Sequence, residues 1–256
     1  MNMTNNKKLI AFDVDNTLSL SRSETDAEMA ELLIKLLKIK QVSIITGGAF
    51  ADVKKQILDP MSRLEEKANL ANLILLPTNG GGLWTYNRDQ DSWEEIASHK
   101  LTLEQKKKIT EAIREVDQVD PELRDNKSFG LEIQDRESEI TYSALGDHAP
   151  VELKQAWDPD FKKRLALQQK LEEKLPKFEV KIGGTTSIDI TPKGMDKAYG
   201  IRILMEYFKY QKSDILFIGD AIYPDGNDYP VAQFGIETIK VENPEDTKKV
   251  IEDLLK

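Results

Sequence analysis

Two carboxylates, one residue apart, close the first apolar run of the chain, Lys8-Leu9-Ile10-Ala11-Phe12-Asp13-Val14-Asp15-Asn16-Thr17-Leu18. Residues i and i+2 of a strand point to one face, so Asp13 and Asp15 can converge on one small volume. Carboxylates that close repel each other unless a cation or a shared proton lies between them. Taken alone, the stretch is equally a strand running into an Asp-rich turn, because Asp and Asn favour turns. Chemistry at this point needs partners from elsewhere in the chain.

Further residues of the right types follow in order. Thr46 closes Val42-Ser43-Ile44-Ile45-Thr46 and precedes Gly47-Gly48, a backbone-permissive pair. Lys197 ends Thr191-Pro192-Lys193-Gly194-Met195-Asp196-Lys197, just before a helical pattern. Asp220 closes Ile215-Leu216-Phe217-Ile218-Gly219-Asp220, and Asp225-Gly226-Asn227-Asp228 comes next. Singly, a lysine is usually a solvated charge and Asp-Gly usually a turn. Together, three carboxylates with carbonyls and water make a hard-oxygen site suited to Mg²⁺. A metal-held carboxylate can attack phosphorus to give an aspartyl-phosphate. A second one, two residues along, can protonate the departing oxygen and then deprotonate a water. The lysine ammonium and the threonine hydroxyl would hold the phosphoryl oxygens as charge shifts among them.

The elements that must position these groups show in the hydrophobic pattern. Glu24–Lys40 carries Met29, Leu32, Leu33, Leu36 and Leu37 at helical spacing. Ala49–Leu58 and Arg63–Ala71 are expected as helices, and Leu73-Ile74-Leu75-Leu76 as a buried strand. Strand–helix alternation predicts an α/β fold with a doubly wound parallel sheet. In such sheets ligands bind beyond the carboxyl ends of the strands, where Asp13, Asp15 and Thr46 all fall. The middle of the chain differs. Trp84–Ile96 has the pattern of a hairpin, and Leu103–Val116 and Phe161–Leu175 that of helices. Phe129–Ile133, Glu139–Leu145, Phe178–Ile182 and Ser187–Ile190 have the pattern of strands. This predicts an inserted α+β domain over residues 84–191, with residues 1–83 and 192–256 forming the interrupted core. The parallel pattern resumes with a helix over Gly200–Phe208, the strand Ile215–Ile218 and a last helix opening at Pro244. The basic runs Lys106-Lys107-Lys108 and Lys162-Lys163-Arg164 are expected on solvated helix faces.

Composition removes other classes. The 256 residues can bury a real core, and a net charge of −9 argues against nucleic-acid partners. The absence of cysteine excludes disulfides, thiolate nucleophiles and Cys-based zinc sites and suits a cytoplasmic setting. With two histidines, carboxylates are the reactive groups in supply. No apolar run approaches the ~20 residues of a membrane helix, so no membrane partner is expected.

On these residues the chain resembles the haloacid dehalogenase superfamily of phosphotransferases over nearly its whole length. Asp13-Val14-Asp15-Asn16-Thr17 is similar to its first motif, Thr46-Gly47-Gly48 to the second and Lys197 to the third. Gly219-Asp220 with Gly226-Asn227-Asp228 is similar to the fourth. The insertion resembles the larger cap of subclass IIB, which includes Cof-type sugar phosphatases. Gly219–Asp228 and Gly183-Gly184-Thr185-Thr186-Ser187-Ile188-Asp189 resemble eukaryotic-type phosphomannomutases. The resemblance implies Asp13 as nucleophile, Asp15 as acid/base and a phosphorylated small molecule as substrate. It also implies Mg²⁺ held by the Asp13 side chain, the Asp15 backbone carbonyl and Asp220. Gly47, Gly48, Ser187 and Asp189 are expected at the substrate. Asn227, also expected there, and Asp228 would help fix Lys197 and the metal shell. Phosphomannomutases commonly pair through their caps, which implies a homodimer. Asn16 stands where those enzymes usually have glycine; Asn tolerates left-handed backbone.

Phosphomannomutases grip the phosphate that is not being transferred with cap arginines. Here Arg136 falls at one such position, Asp147 at a second and Lys154 near a third. The stretch from residue 84 to 191 holds 17 basic and 23 acidic residues, a poor clamp for a second phosphate dianion. The expectation is therefore a phosphatase acting on a sugar phosphate, with a phosphohexomutase as the alternative. A non-catalytic binding module would have lost the nucleophile, a metal aspartate or the lysine, and none is lost.

Overall fold

The computed structural model describes residues 6–119 and 128–256. The strands, in chain order, are β1 (Leu9–Phe12), β2 (Gln41–Ile45), β3 (Leu73–Leu76), β4 (Gly82–Asn87), β5 (Ser92–Ser98), β6 (Ile133–Asp135), β7 (Ile140–Ser143), β8 (Phe178–Ile182), β9 (Ser187–Pro192), β10 (Ile215–Gly219) and β11 (Glu237–Lys240). The helices are α1 (Ala27–Ile39), α2 (Phe50–Val53), α3 (Asp59–Ser62), α4 (Leu103–Val119), α5 (Val151–Trp157), α6 (Lys162–Lys174), α7 (Lys197–Phe208), α8 (Tyr229–Gln233) and α9 (Pro244–Leu254). The chain divides into two compact units, Met1–His99 with Met195–Lys256, and Lys100–Gly194. Among the described residues no helix is long and apolar enough to cross a membrane.

The first unit is built on one sheet, ordered β11-β10-β1-β2-β3-β4-β5. Its first five strands run parallel, and β4 and β5 are antiparallel additions. A parallel sheet covered on both faces needs continuously apolar strands, and β1 and β10 are buried at every position. Ile10 and Phe12 share a core with Leu33 and Leu37 of α1 and Ile251 of α9. Leu9 and Ala11 face the other way, toward Ile201 and Leu204 of α7. The helix starts are chemically marked. Asp26 accepts the Met29 N–H at 2.8 Å, and Asn243 accepts that of Asp246 at 3.1 Å beside Pro244.

Two expectations fail here. The hairpin assigned to the insertion instead extends the main sheet, Leu75 pairing with Trp84. Leu83 is fully buried and Trp84 lies against Phe50, so the apolar content of β4 covers the β3 edge. The unit boundaries therefore fall at 99/100 and 194/195 rather than 83/84 and 191/192. The predicted helix over Arg63–Ala71 is absent as well, and only a single turn, Leu70–Asn72, forms there. One helical stretch runs from α2 through a widened π segment, Lys54–Leu58, into α3. Val53, Ile57 and Met61, four residues apart, are its buried stripe; after Ser62 only Leu64 and Ala68 could continue it. Pro60 has no N–H to give the Gln56 carbonyl. That oxygen instead accepts the Thr25 backbone N–H at 2.9 Å and hydroxyl at 3.1 Å.

The second unit is a four-stranded antiparallel sheet, β6-β7-β9-β8. Its core joins Ile109, Ile113 and Val116 of α4 and Leu167 and Leu171 of α6 with Val180, Ile188 and Ile190 of the sheet. Alternation is clear in β8, where Phe178 and Val180 are buried. The strand predicted at Phe129–Ile133 pairs only over Ile133–Asp135. Arg164 also departs from expectation. It is buried, not solvated, with Nε 2.7 Å from Asp158 Oδ2 and Nη1 donating to the Gly184 carbonyl at 2.6 Å.

Candidate active site

Asp13 follows the last residue of β1 and is tied to the neighbouring strand by its backbone N–H, which donates to the Ile218 carbonyl at 3.0 Å. The chain then turns sharply. The N–H groups of Thr17, Leu18 and Ser19 converge on the Val14 carbonyl at 3.2, 2.8 and 3.1 Å. Asn16 takes a φ of +58°, the left-handed backbone its short polar side chain tolerates. The turn returns the Thr17 hydroxyl to Asp13 Oδ2 at 3.4 Å.

Lys197 begins α7, after Asp196 caps the helix by accepting the Tyr199 N–H at 2.8 Å. Its side chain is 1% exposed, and Nζ donates to Asp13 Oδ1 at 2.5 Å and Asp228 Oδ1 at 2.6 Å. Asp228 is completely buried, and its second oxygen accepts the Ala221 N–H at 3.0 Å. Gly219 makes this approach possible, because a Cβ there would overlap the Asp228 carboxylate. Burial pushes the Asp13 carboxyl up, Lys197 pulls it down and Asp228 pushes it up again, leaving it at about 6. Burial opposes the lysine's charge too, but the two carboxylates outweigh it and hold Lys197 above its ordinary value.

Carboxylate oxygens of Asp13, Asp220 and Asp228 lie within 4.8 Å of one another. Asp220, at the end of β10, is half-buried and accepts no hydrogen bond among the described residues. Asp228 already serves Lys197 and Ala221 with both oxygens. A cluster of hard-oxygen donors, one carboxylate of which is unengaged, fits a small divalent cation such as Mg²⁺. Asp13 and Asp220 would be its carboxylate ligands.

Asp15 has the same parity as Asp13, but its carboxylate is held apart from that cluster. Oδ1 accepts the Arg22 N–H at 2.7 Å and the Gln56 amide at 3.4 Å. Any part Asp15 takes in holding a metal falls to its backbone carbonyl. Thr46 is buried after β2, its N–H donating to the Leu76 carbonyl at 3.2 Å and its hydroxyl accepting the Gly48 N–H at 3.1 Å. Gly47 and Gly48 lead to Ala49, whose N–H is capped by Asp52 Oδ2 at 2.8 Å. Asn227 is exposed and makes none of the bonds that hold the cluster; Asp228, one residue on, secures Lys197. Gln56 had no signal in the sequence, because its contact with Asp15 spans 41 residues.

In the second unit Ser187 and Asp189 sit on β9 with their side chains engaged. Ser187 Oγ accepts the Gly184 N–H at 2.8 Å, and Asp189 Oδ1 accepts the Thr141 hydroxyl at 2.8 Å. A Cβ on Gly183 would collide with both side chains. Arg136 donates to Glu139 Oε1 and Gln134 Oε1, each at 3.2 Å. Burial, then the nearby Asp189 charge, push the Glu139 carboxyl up to about 7 against the pull of Arg136. Asp147 accepts the Leu131 N–H and the Gln134 amide, both at 2.8 Å, and Lys154 donates to the Asp147 backbone carbonyl at 2.9 Å.

A haloacid dehalogenase-like hydrolase from Bacteroides thetaiotaomicron has a similar fold, with a TM-score of 0.63 at 17% identity, covering 97% of this chain and 99% of that one. The protein is an enzyme of the haloacid dehalogenase superfamily, with an α/β core and residues 100–194 inserted into it. The family model for eukaryotic phosphomannomutase matches residues 29–256, and the chain belongs to that family. A probable phosphomannomutase from Caenorhabditis elegans is 29% identical, covering 98% of this chain and 96% of that protein. A phosphomannomutase from Encephalitozoon cuniculi is 27% identical, covering 98% and 94%.

Proposed function

We propose that this chain transfers the phosphoryl group of a hexose phosphate through an aspartyl-phosphate on Asp13, and that it acts as a phosphohexomutase of the phosphomannomutase type. The observation that carries this is the family match over residues 29–256, in a chain whose buried Asp13, Lys197 and Asp228 and half-buried Asp220 are drawn into one cluster. Asp13 attacks phosphorus, and the departing sugar oxygen takes its proton from Asp15. Lys197 and the Thr46 hydroxyl hold the phosphoryl oxygens, and the Gly47–Gly48 backbone gives them room. Mg²⁺, bound through Asp13, Asp220 and the Asp15 carbonyl, would supply charge neutralisation at the transferring group. In a mutase the aspartyl-phosphate passes its phosphoryl group to the free hydroxyl of a hexose monophosphate, whose proton Asp15 takes, so Asp15 acts as base toward a sugar rather than a water. The bisphosphate so formed then returns its other phosphoryl group to Asp13. Ser187, Asp189 and Arg136 are assigned to sugar and phosphate recognition.

This departs from the hydrolysis that the acidic insertion favours in the sequence. Hydrolysis stays the second reading because of one arrangement in the second unit. Arg136 is already paired with Glu139, and an acid, Asp147, occupies the next arginine position. The acceptor assay separates the two. Mannose 1-phosphate and glucose 1-phosphate are supplied with Mg²⁺, with and without a catalytic hexose 1,6-bisphosphate. Hexose 6-phosphate, dependent on the bisphosphate, is the expected product. Inorganic phosphate released at the rate of substrate loss would establish hydrolysis instead.

A further inference from the structure

Beside the helical stretch of residues 50–62, within the first unit, lies a cleft of about 650 Å³ that the phosphoryl chemistry does not use. Its size falls among small-molecule sites, which run from about 300 to 1,000 Å³. Four aromatic rings line it: Phe50 from the helix and Trp84, Tyr86 and Trp93 from the β4–β5 hairpin. Phe50 and Trp84 lie with ring centroids 4.3 Å apart, and Tyr86 meets Trp93 edge-on at 5.5 Å. All four residues are partly buried: Phe50, Trp84 and Trp93 pack on the core that holds Val53, Ile57 and Met61 and keep part of their surface toward the cleft.

The charges around these rings are not balanced. Lys54 is paired with Asp59 at 2.7 Å, and Asp91 accepts the Tyr86 hydroxyl while keeping its charge, so one carboxylate stands against the two remaining cations. Lys67 and Arg88 are exposed and have no carboxylate partner among the described residues, and Arg88 bonds only the Asn69 side-chain oxygen. Three cations against two carboxylates leave the lining of this cleft positive on a chain of net charge −9. The cleft is also bounded by Lys54 and Leu58, the ends of the π segment. Such segments cost hydrogen-bond geometry and concentrate at functional sites.

We infer that this cleft binds a small planar aromatic anion, its ring against the faces of Trp84, Trp93 and Phe50 and its negative charge between Lys67 and Arg88. Ring and charge each select. An aliphatic anion would forgo the stacking, and a neutral ring would leave the two cations unanswered.

Two probes that differ only in charge test this. Anilinonaphthalene sulfonate joins a planar naphthalene ring to a sulfonate, and phenylnaphthylamine carries the same rings without the sulfonate. The full chain is titrated with each, following tryptophan quenching and probe emission. The expected result is saturable one-site binding of the sulfonate, with the neutral amine about tenfold weaker or more. The double variant Lys67→Glu with Arg88→Glu should weaken the sulfonate about tenfold, the sum of several surface charge terms, and leave the amine unchanged. Raising salt on the unaltered protein, which needs no variant to fold, should weaken only the sulfonate. Equal affinity for both probes, insensitivity to salt and charge reversal, or no saturable binding would each overturn the inference.

Discussion

A lysine with 1% of its side chain exposed keeps its charge only if carboxylates surround it, and Lys197 has two. Asp13 and Asp228 are in turn buried acids whose charge depends on that ammonium. Removing one member therefore strands the others. In metal-free protein Lys197→Ala should lower stability by about 3–5 kcal/mol, read from urea unfolding at neutral pH in the presence of EDTA. A loss below about 1 kcal/mol would mean that water already solvates the cluster.

Glu139 poses a similar problem in the second unit, with a different sign. It is 5% exposed, faces Arg136, Thr141 and, through Thr141, Asp189, and its pKa stands at about 7. Its folded value exceeds the unfolded one, so the folded state holds the proton more tightly. That stability is fully present below about pH 4 and is lost as pH rises through about 7. The Glu139→Gln variant should escape this loss. Relative to it, the wild type should weaken by about 3 kcal/mol between pH 4 and pH 8, measured by denaturant unfolding across that range. Parallel profiles would show that Arg136 fully offsets the burial.

Elements place these residues, and they were unequally visible in the sequence. The ends of β1, β2 and β10 were legible because a buried parallel strand is an unbroken apolar run, and a carboxylate or hydroxyl after it stands out. Lys197 was legible for the same kind of reason, lying at a helix start after a turn. Asp228 closes the Gly226-Asn227-Asp228 motif, but only the close packing that Gly219 permits brings its carboxylate to Lys197. Gln56 could not be found, since its contact with Asp15 spans 41 residues and nothing in the local pattern marks it. The β4–β5 hairpin looked like the start of the insertion because its pattern gives pairing but not which sheet edge it joins.

Arg164 is hidden from the sequence for a related reason. Three basic residues in a row suggest a solvated face, and only the tertiary partner Asp158 shows otherwise. Its side chain closes the start of α6 and holds the Gly184 carbonyl, while Gly184 N–H holds Ser187. Arg164→Ala should therefore cost about 3 kcal/mol or more in unfolding free energy, from an unpaired buried Asp158. It should also raise the Michaelis constant for the sugar phosphate by loosening the turn that carries Ser187. A variant with unaltered stability would place Arg164 at the surface after all.

At the scale of the whole molecule, the catalytic unit is assembled from two separated stretches of chain. Lys197 meets Asp13 across 184 residues of sequence, and the pairing of β1 with β10 fixes Asp13 beside Asp220's strand. The sequence revealed this interruption because parallel-sheet periodicity stops and later resumes. The acceptor proposed above was not legible there, because the phosphate-gripping arginines it calls for are single positions without a periodic pattern, and Asp147 and Lys154 occupy two of them. Both readings of the acceptor share one claim, that Asp13 becomes covalently phosphorylated. The direct measurement is an acid quench during turnover of a labelled hexose phosphate with Mg²⁺, followed by peptide mapping. The account predicts hydroxylamine-labile phosphate on the peptide holding Asp13, absent from Asp13→Asn. Turnover without any such adduct, or label persisting in Asp13→Asn, would contradict it.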